Sequence, residues 1–366
     1  MKIKIHQQYF DWYLLFLTLF LLAFGLLMVF DSSAVTALTE FGNKFYYLRD
    51  QAKGVIIGLL GMIFAAFFDY RRYYKLSLPM LLGSLALLVM VFIPSLGVKA
   101  LGAHRWISLG FFILQPSEVA KLITTIYLSA WLSKKEKNRF GAFLILLSMV
   151  VGLILLEPDL GTGIIIVSCS LIIYFISGAP LKHLVGLIPV ALGGILALAI
   201  SVPYRFARLA TFLNLNSDPL GASYHVRQVL IALGSGGLWG LGLGKSRQKF
   251  FYLPEASTDS IFAIIAEELG FIGATALILV FVILIYRGFI IAKNAPDNFG
   301  RLLAFGITAW IALQIIINLS SMVALTPLTG IPLPFISYGG SAIVVELFAI
   351  GILLNISKQS MIKKSL

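Results

Sequence analysis

The sequence predicts an all-α integral membrane protein of about ten transmembrane helices, with one long extracytoplasmic loop between the seventh and eighth. Three observations carry this. Of 366 residues, 59% are hydrophobic and only 12% are charged. Apolar runs of about the length that spans a bilayer recur from one end of the chain to the other. Lys and Arg alternate between dense and sparse connectors, as the positive-inside bias requires. Such continuous runs exclude an outer-membrane barrel, whose strands alternate residue by residue.

The runs fall at 12–30, 50–68, 76–94, 114–132, 141–156, 161–177, 183–201, 260–286, 302–325 and 340–357. The first lacks a small-residue cleavage site, so it is expected to open the bundle rather than leave as a signal peptide. With the N-terminus in the cytoplasm, sixteen Lys and Arg fall inside, from Lys2 and Lys4 through Arg71, Lys134 and Arg287 to Lys363 and Lys364. The short outside loops hold five: Lys44, Arg49, Lys53, Lys99 and Arg105. Both termini are then cytoplasmic, and residues 1–366 form a single polytopic membrane domain. The net charge of +12 is accounted for by a basic belt beside anionic lipid, so no nucleic-acid partner is implied.

Residues 202–259 form the one long connector, placed outside. Arg205, Arg208, Arg227, Lys245, Arg247 and Lys249 face Asp218, Glu255 and Asp259, a balance of +3. Long loops translocate regardless of charge; alternatively, this one holds an anionic ligand. Two more outside connectors, 95–117 and 326–341, are rich in Gly and Pro. Irregular backbone at membrane depth is tolerated only where protein or water covers it. Three such loops on one side point to a shared outward-facing site.

Asp259 is the leading candidate within it. Ser257 or Thr258 would cap the eighth helix and place Asp259 in its first turn, on one face with Ala263, Ala266, Gly270 and Gly273. Small residues let membrane helices pack closely, so the carboxylate would look into the bundle. It reads either as a capping residue or as a general base for a hydroxyl. Glu267 lies near the same face and Glu268 nearly opposite, with a structural role favoured for the latter. Arg105 suits phosphate or carboxylate recognition, and Trp106 the interfacial belt. Glu118 and Lys121 are three apart, either a neutralising pair or a ligand contact beside Gln115 and Ser117. Asp159, after Glu157 and Pro158, reads first as the cap of the sixth helix. The run from Ser235 to Ser246 resembles a P-loop but fails, because Trp239 stands where its first Gly belongs. Cys169 is alone, and the four histidines have no metal-ligand spacing.

Four stretches, RWISLGFFILQPSEVAKL, EPDLGTG, the run from Tyr224 to Gly273 and TPLTGIPLPFISYGGS, resemble the SEDS family of peptidoglycan polymerases (shape, elongation, division and sporulation; FtsW, RodA and SpoVE types). SRQKFFYLPE is closer to the division branch. The resemblance implies a glycosyltransferase in the bacterial cytoplasmic membrane that polymerises lipid II at the outer face, with undecaprenyl diphosphate leaving and the linkage inverting from α to β. It implies Asp259 as the catalytic base. It adds Gln228, Ser235, Lys245, Gln248, Glu255, Thr258, Glu267, Ser337, Gly339, Gly340 and Ser341 to Arg105, Gln115, Ser117, Glu118, Lys121, Arg205 and Arg208 as substrate-binding candidates. A divalent cation, Mg or Mn, could assist the leaving group, although no ligand set demonstrates one. The implied partners are a class B penicillin-binding protein, the FtsI-type transpeptidase, and other divisome or elongasome proteins. A lipid II flippase is the alternative, which would not require an acid at the outer rim. Three residues depart from the family's pattern: Ser260 where Phe is usual, Ala342 where a second Ser is usual, and Glu346, a charge in the last helix.

Overall fold

The computed structural model describes residues 10–93, 96–100, 103–108, 110, 112–134, 139–200, 206, 212 and 223–360. In chain order its elements are α1 (Trp12–Phe41), α2 (Tyr46–Phe67), α3 (Arg71–Met90), β1 (Gly97–Ala100), β2 (Ala103–Ser108), β3 (Ile113–Leu114), α4 (Pro116–Leu132), α5 (Phe140–Leu156), α6 (Leu160–Ile176), α7 (Leu181–Ile200), α8 (Tyr224–Ser235), α9 (Ile261–Asn294), α10 (Asn298–Met322) and α11 (Gly340–Gln359). Each predicted apolar run carries a helix. Among the described residues, α1, α2, α3, α9, α10 and α11 are long and apolar enough to cross a membrane, which makes this a multi-pass membrane protein.

Three features differ from the sequence expectation. First, α1 runs past the apolar stretch. The hydroxyls of Ser32 and Ser33 bond back to the Val29 carbonyl, so polar residues are absorbed without ending the helix. It stops at Gly42, which caps it in the left-handed conformation at φ 66°. Second, the chain is not purely helical. The connector after α3 forms a three-stranded antiparallel sheet in the order β1-β2-β3, which pairs the backbone donors and acceptors that a loop there would leave open.

Third, α9 is broken. Gly270 has φ 67° and ψ −171°, a conformation essentially reserved for glycine. The helical face drawn from Asp259 to Gly273 is therefore interrupted. The break is stitched by the turn after α8. Leu241 and Gly242 N–H groups donate to the Glu267 and Glu268 carbonyls, both at 3.0 Å, while Phe271 and Ile272 donate to Gly237 and Leu238 carbonyls at 2.9 and 3.2 Å. Irregular backbone from one segment thus satisfies irregular backbone from the other, the condition for a broken helix in a membrane. A Cβ on Gly270 would collide with the Gly240 nitrogen and the Leu238 carbonyl.

The core lies along α10 and α11, whose side chains are mostly buried, whereas α1–α3 and α9 turn most of their apolar side chains outward. Polar contacts collect at the two ends. At one end Arg287 meets Asp11 at 2.6 Å, Asp11 N–H donates to Ser357, the Tyr70 N–H donates to Asn355, and Arg71 meets Asp297 at 3.3 Å. The opposite end holds the clusters described next.

Candidate functional site

Asp259 lies at the start of α9, 7% exposed. It is not in the first turn as expected: Ser260 is the N-cap residue, with no side-chain cap bond, so Asp259 precedes the helix. Its segment is clamped through backbone carbonyls. The Asn318 amide from α10 donates to the Asp259 carbonyl at 2.8 Å and to the Ile331 carbonyl at 2.8 Å. The Ser337 hydroxyl donates to the Thr258 carbonyl at 2.5 Å, and the Tyr338 N–H to the Ser257 carbonyl at 2.8 Å. Thr258 also donates to the exposed Glu255 carboxylate at 2.8 Å. These clamps act on carbonyls, so they fix the backbone without engaging the Asp259 carboxyl group. The Thr258 hydroxyl lies 3.3 Å from one oxygen of that carboxyl.

The 326–341 connector joins this segment to the 95–117 connector and to α2. Gln51 from α2 bonds both the Ser337 carbonyl at 3.1 Å and the Gly339 N–H at 3.0 Å. The Ser341 hydroxyl donates to the Ile113 carbonyl and accepts from the Gln115 N–H, while Gly340 packs beside the Phe112 ring. Gln115 and Ser117 both donate to Asp159 at 3.3 Å. Asp159 caps α6, accepting from the Thr162 N–H at 3.0 Å, as its position predicted. Arg105 donates to the carbonyls of Glu157, at 3.0 Å, and Pro158, at 2.6 Å. Glu157 itself is fully buried, and neither carboxyl oxygen has a hydrogen-bond partner. Burial, with Asp159 adding and Arg105 opposing, pushes its carboxyl up to about 8.

Inside the bundle, Lys121 meets Glu118 at 2.8 Å and donates to Gln314 at 3.0 Å. Around the glycine-rich turn, loop N–H and hydroxyl groups hold two buried acids much as a P-loop holds phosphate. Glu267 accepts from the Ser235 and Ser246 hydroxyls and the Gln248 N–H. Glu268 accepts from the N–H groups of Gly244, at 2.9 Å, and Ser246, at 3.0 Å, and from Lys249 at 3.1 Å. Lys249 also reaches Asp31 of α1 at 2.9 Å. Desolvation weakens that ammonium, yet its bonds to Asp31 and Glu268 outweigh the loss and raise Lys249 above the ordinary lysine value.

The family model for cell cycle proteins of the FtsW, RodA and SpoVE type matches residues 12–362. The chain belongs to this family. It is 44% identical to stage V sporulation protein E of Bacillus subtilis, covering 96% of this chain and 97% of that protein. It is 39% identical to the probable peptidoglycan glycosyltransferase FtsW of Geobacter metallireducens, over 98% of this chain and 96% of that protein. Among solved structures it resembles a chain of a peptidoglycan synthase complex that coordinates polymerization and crosslinking, with TM-score 0.78, 29% identity and 96% and 98% coverage. It also resembles the rod shape determining protein RodA of Thermus thermophilus, with TM-score 0.71, 29% identity and 96% and 97% coverage.

Two of the three departures from the FtsW/RodA/SpoVE pattern have partners here. Ser260 is fully buried, and its hydroxyl lies 2.7 Å from Nε2 of His225 on α8. Glu346 is 2% exposed and accepts from the Gln314 amide at 3.1 Å and the Phe335 N–H at 2.9 Å. Ala342 is buried in the first turn of α11. Of the remaining family-implied candidates, Lys245 is exposed, Gln228 is half-buried on α8 and Gln248 is buried. Arg205 and Arg208 lie outside the described residues. Asn318, Gln51 and Asp31 escaped the sequence reading. Asn318 carried the clearest signal, an amide inside the apolar run of α10.

Proposed function

We infer that the chain is a peptidoglycan glycosyltransferase that polymerises lipid II into glycan strands at the outer face of the bacterial cytoplasmic membrane. Membership of the family supports the activity. The observation that carries the mechanism is the Asp259 segment, clamped by Asn318, Ser337 and Tyr338 so that a buried acid stands where the end of the long connector meets the 326–341 connector. Asp259 takes the proton from the 4-hydroxyl of the acceptor GlcNAc. The oxygen attacks C1 of the donor MurNAc, the bond from C1 to the lipid diphosphate breaks, and the configuration inverts from α to β. Fixing the base before substrate arrives lowers the entropic part of the barrier.

Cations serve the departing diphosphate. Arg105 is committed to the Glu157–Pro158 turn and Lys249 to Asp31 and Glu268. Lys245 and Arg247 are exposed on the loop those acids organise, so they are assigned the diphosphate contact, together with Arg205 and Arg208. Gln115, which is only half-buried, is assigned to the substrate approach, backed by the buried Ser117, Glu118, Lys121 and Ser341. A divalent cation would aid departure; among the described residues no three His, Cys, Asp or Glu side chains group as ligands, so no step is routed through it. Ten spans, loop 202–259 outside and both termini inside complete the topology. A class B penicillin-binding protein of the FtsI type, within the divisome or elongasome, is the partner, in keeping with the synthase complex among the structural neighbours.

The test is polymerisation of labelled lipid II by the purified protein. Asp259→Asn keeps the shape but not the base, so the rate is expected to fall about 10²–10⁴-fold with the thermal midpoint unchanged. Wild-type rates in this variant would overturn the role. Lipid II transport, the alternative, does not need the Asp259 carboxyl and would survive the substitution.

A further inference from the structure

Glu346 is a buried acid in a helix whose neighbours Val344, Val345, Leu347 and Phe348 are apolar. Its two oxygens do different things. Oε1 accepts from Gln314, and Oε2 accepts from the N–H of Phe335. Phe335 has φ 64°, and a bulky side chain in the left-handed region persists only where its surroundings over-determine it. The bond from Glu346 is one such determinant. The second is α1, where Gly25 packs directly against the Phe335 and Ile336 backbone.

The strained residue sits in the turn that grips the Asp259 segment. Leu333 N–H donates to the Ser337 hydroxyl at 2.8 Å, and that hydroxyl donates to the Thr258 carbonyl. Gln314 cannot replace Glu346 in this. Its amide nitrogen is shared between Glu346 and the Pro332 carbonyl, and its oxygen already accepts from Lys121 and the Trp310 indole.

We propose that Glu346 is a positioning residue for polymerisation, holding the Phe335–Ser337 turn and through it the direction in which Asp259 is presented. This rests on the reading of Asp259 as the base. Misplacing a catalytic group by about 1 Å costs on the order of 10²-fold, so Glu346→Ala is expected to lower kcat about 10–100-fold while KM stays within about twofold. Glu346→Gln keeps an oxygen for the Phe335 N–H and is expected to recover most of kcat.

The deciding measurement is a double-mutant cycle on kcat for lipid II polymerisation, with Ser337→Ala as the second substitution and thermal midpoints recorded alongside. Two residues acting on one turn should be strongly sub-additive, the double variant being no slower than the worse single one. Should Glu346→Ala fail to fold, the cycle runs with Glu346→Gln, whose smaller effect should vanish in the Ser337→Ala background. Unchanged kcat in folded Glu346→Ala, or effects that multiply, would overturn the proposal while leaving the enzymatic reading intact. No polymer from the wild-type protein would overturn both.

Discussion

At the scale of single residues, Glu157 behaves unlike the other acids at its end of the bundle. Glu267, Glu268 and Asp159 each collect several donors, whereas Glu157 is buried with none for its side chain. Its carboxyl rises to about 8, chiefly from burial, against about 4.3 for an unfolded glutamate. The folded chain therefore keeps a proton that the unfolded chain gives up. Below pH ~4.3 this costs nothing; stability falls as pH rises towards 8 and then levels off. Glu157→Gln mimics the protonated form, so its thermal midpoint should gain on the wild type between pH 5 and pH 8.5. Each pH unit across which the two states differ in this proton is worth about 1.4 kcal/mol, so the gain has a ceiling of several kcal/mol. Parallel midpoints across that range would show that Glu157 does not hold the proton.

At the scale of elements, the break in α9 decides how the loop after α8 is held. Gly270→Ala would force a Cβ against Leu238 and Gly240 and place alanine in a conformation that costs of order 1–3 kcal/mol. A lowered thermal midpoint is expected. Gly83→Ala, at a helical position with open space around it, should leave the midpoint level or raise it. Equal midpoints for the two variants would remove the steric account. The helices on the ten apolar runs were legible from the sequence because each run is continuous, whereas α8, inside the stretch read as a long connector, was not; Asp159 was legible as a cap because it directly precedes an apolar run. The break was not. Gly270 sits in an apolar pattern that continues through it, and only the partner backbone at 237–242, some thirty residues upstream, makes the break tolerable. The sheet of β1 to β3 was hidden in the same way, since its short strands carry no sustained alternation. The bonds of Arg105 to the Glu157 and Pro158 carbonyls went unseen because a guanidinium that holds backbone carbonyls looks, in sequence, like one that waits for a phosphate.

At the scale of the whole molecule, two ionic ties between α1 and α9 act as a ruler. Asp11 meets Arg287 at one end, and Asp31 meets Glu268 through Lys249 at the other. From Asp11 to Asp31, at about 1.5 Å per helical residue, the rise is roughly 30 Å. From Phe271, just past the break, to Arg287 it is about 24 Å by the same measure, with Glu268 a little further on across the break. Both come close to the ~30 Å hydrocarbon layer, so the ties sit where charge can leave it. Asn318, the clamp on Asp259, lies about 31 Å of helix from Asp297, on a level with the upper tie. Lys134 and Arg139, at the α4–α5 turn, belong to the lower end, where Lys134 lies over the Tyr74 ring. The positive-inside bias predicts that this end is the cytoplasmic one. Single cysteines at the exposed positions Lys44 and Glu255 should label with an impermeant thiol reagent in intact cells, after the buried Cys169 is replaced by alanine. A cysteine at the exposed Lys134 should label only after permeabilisation. The reverse pattern would place Asp259 in the cytoplasm, on the wrong side of the membrane for building a wall.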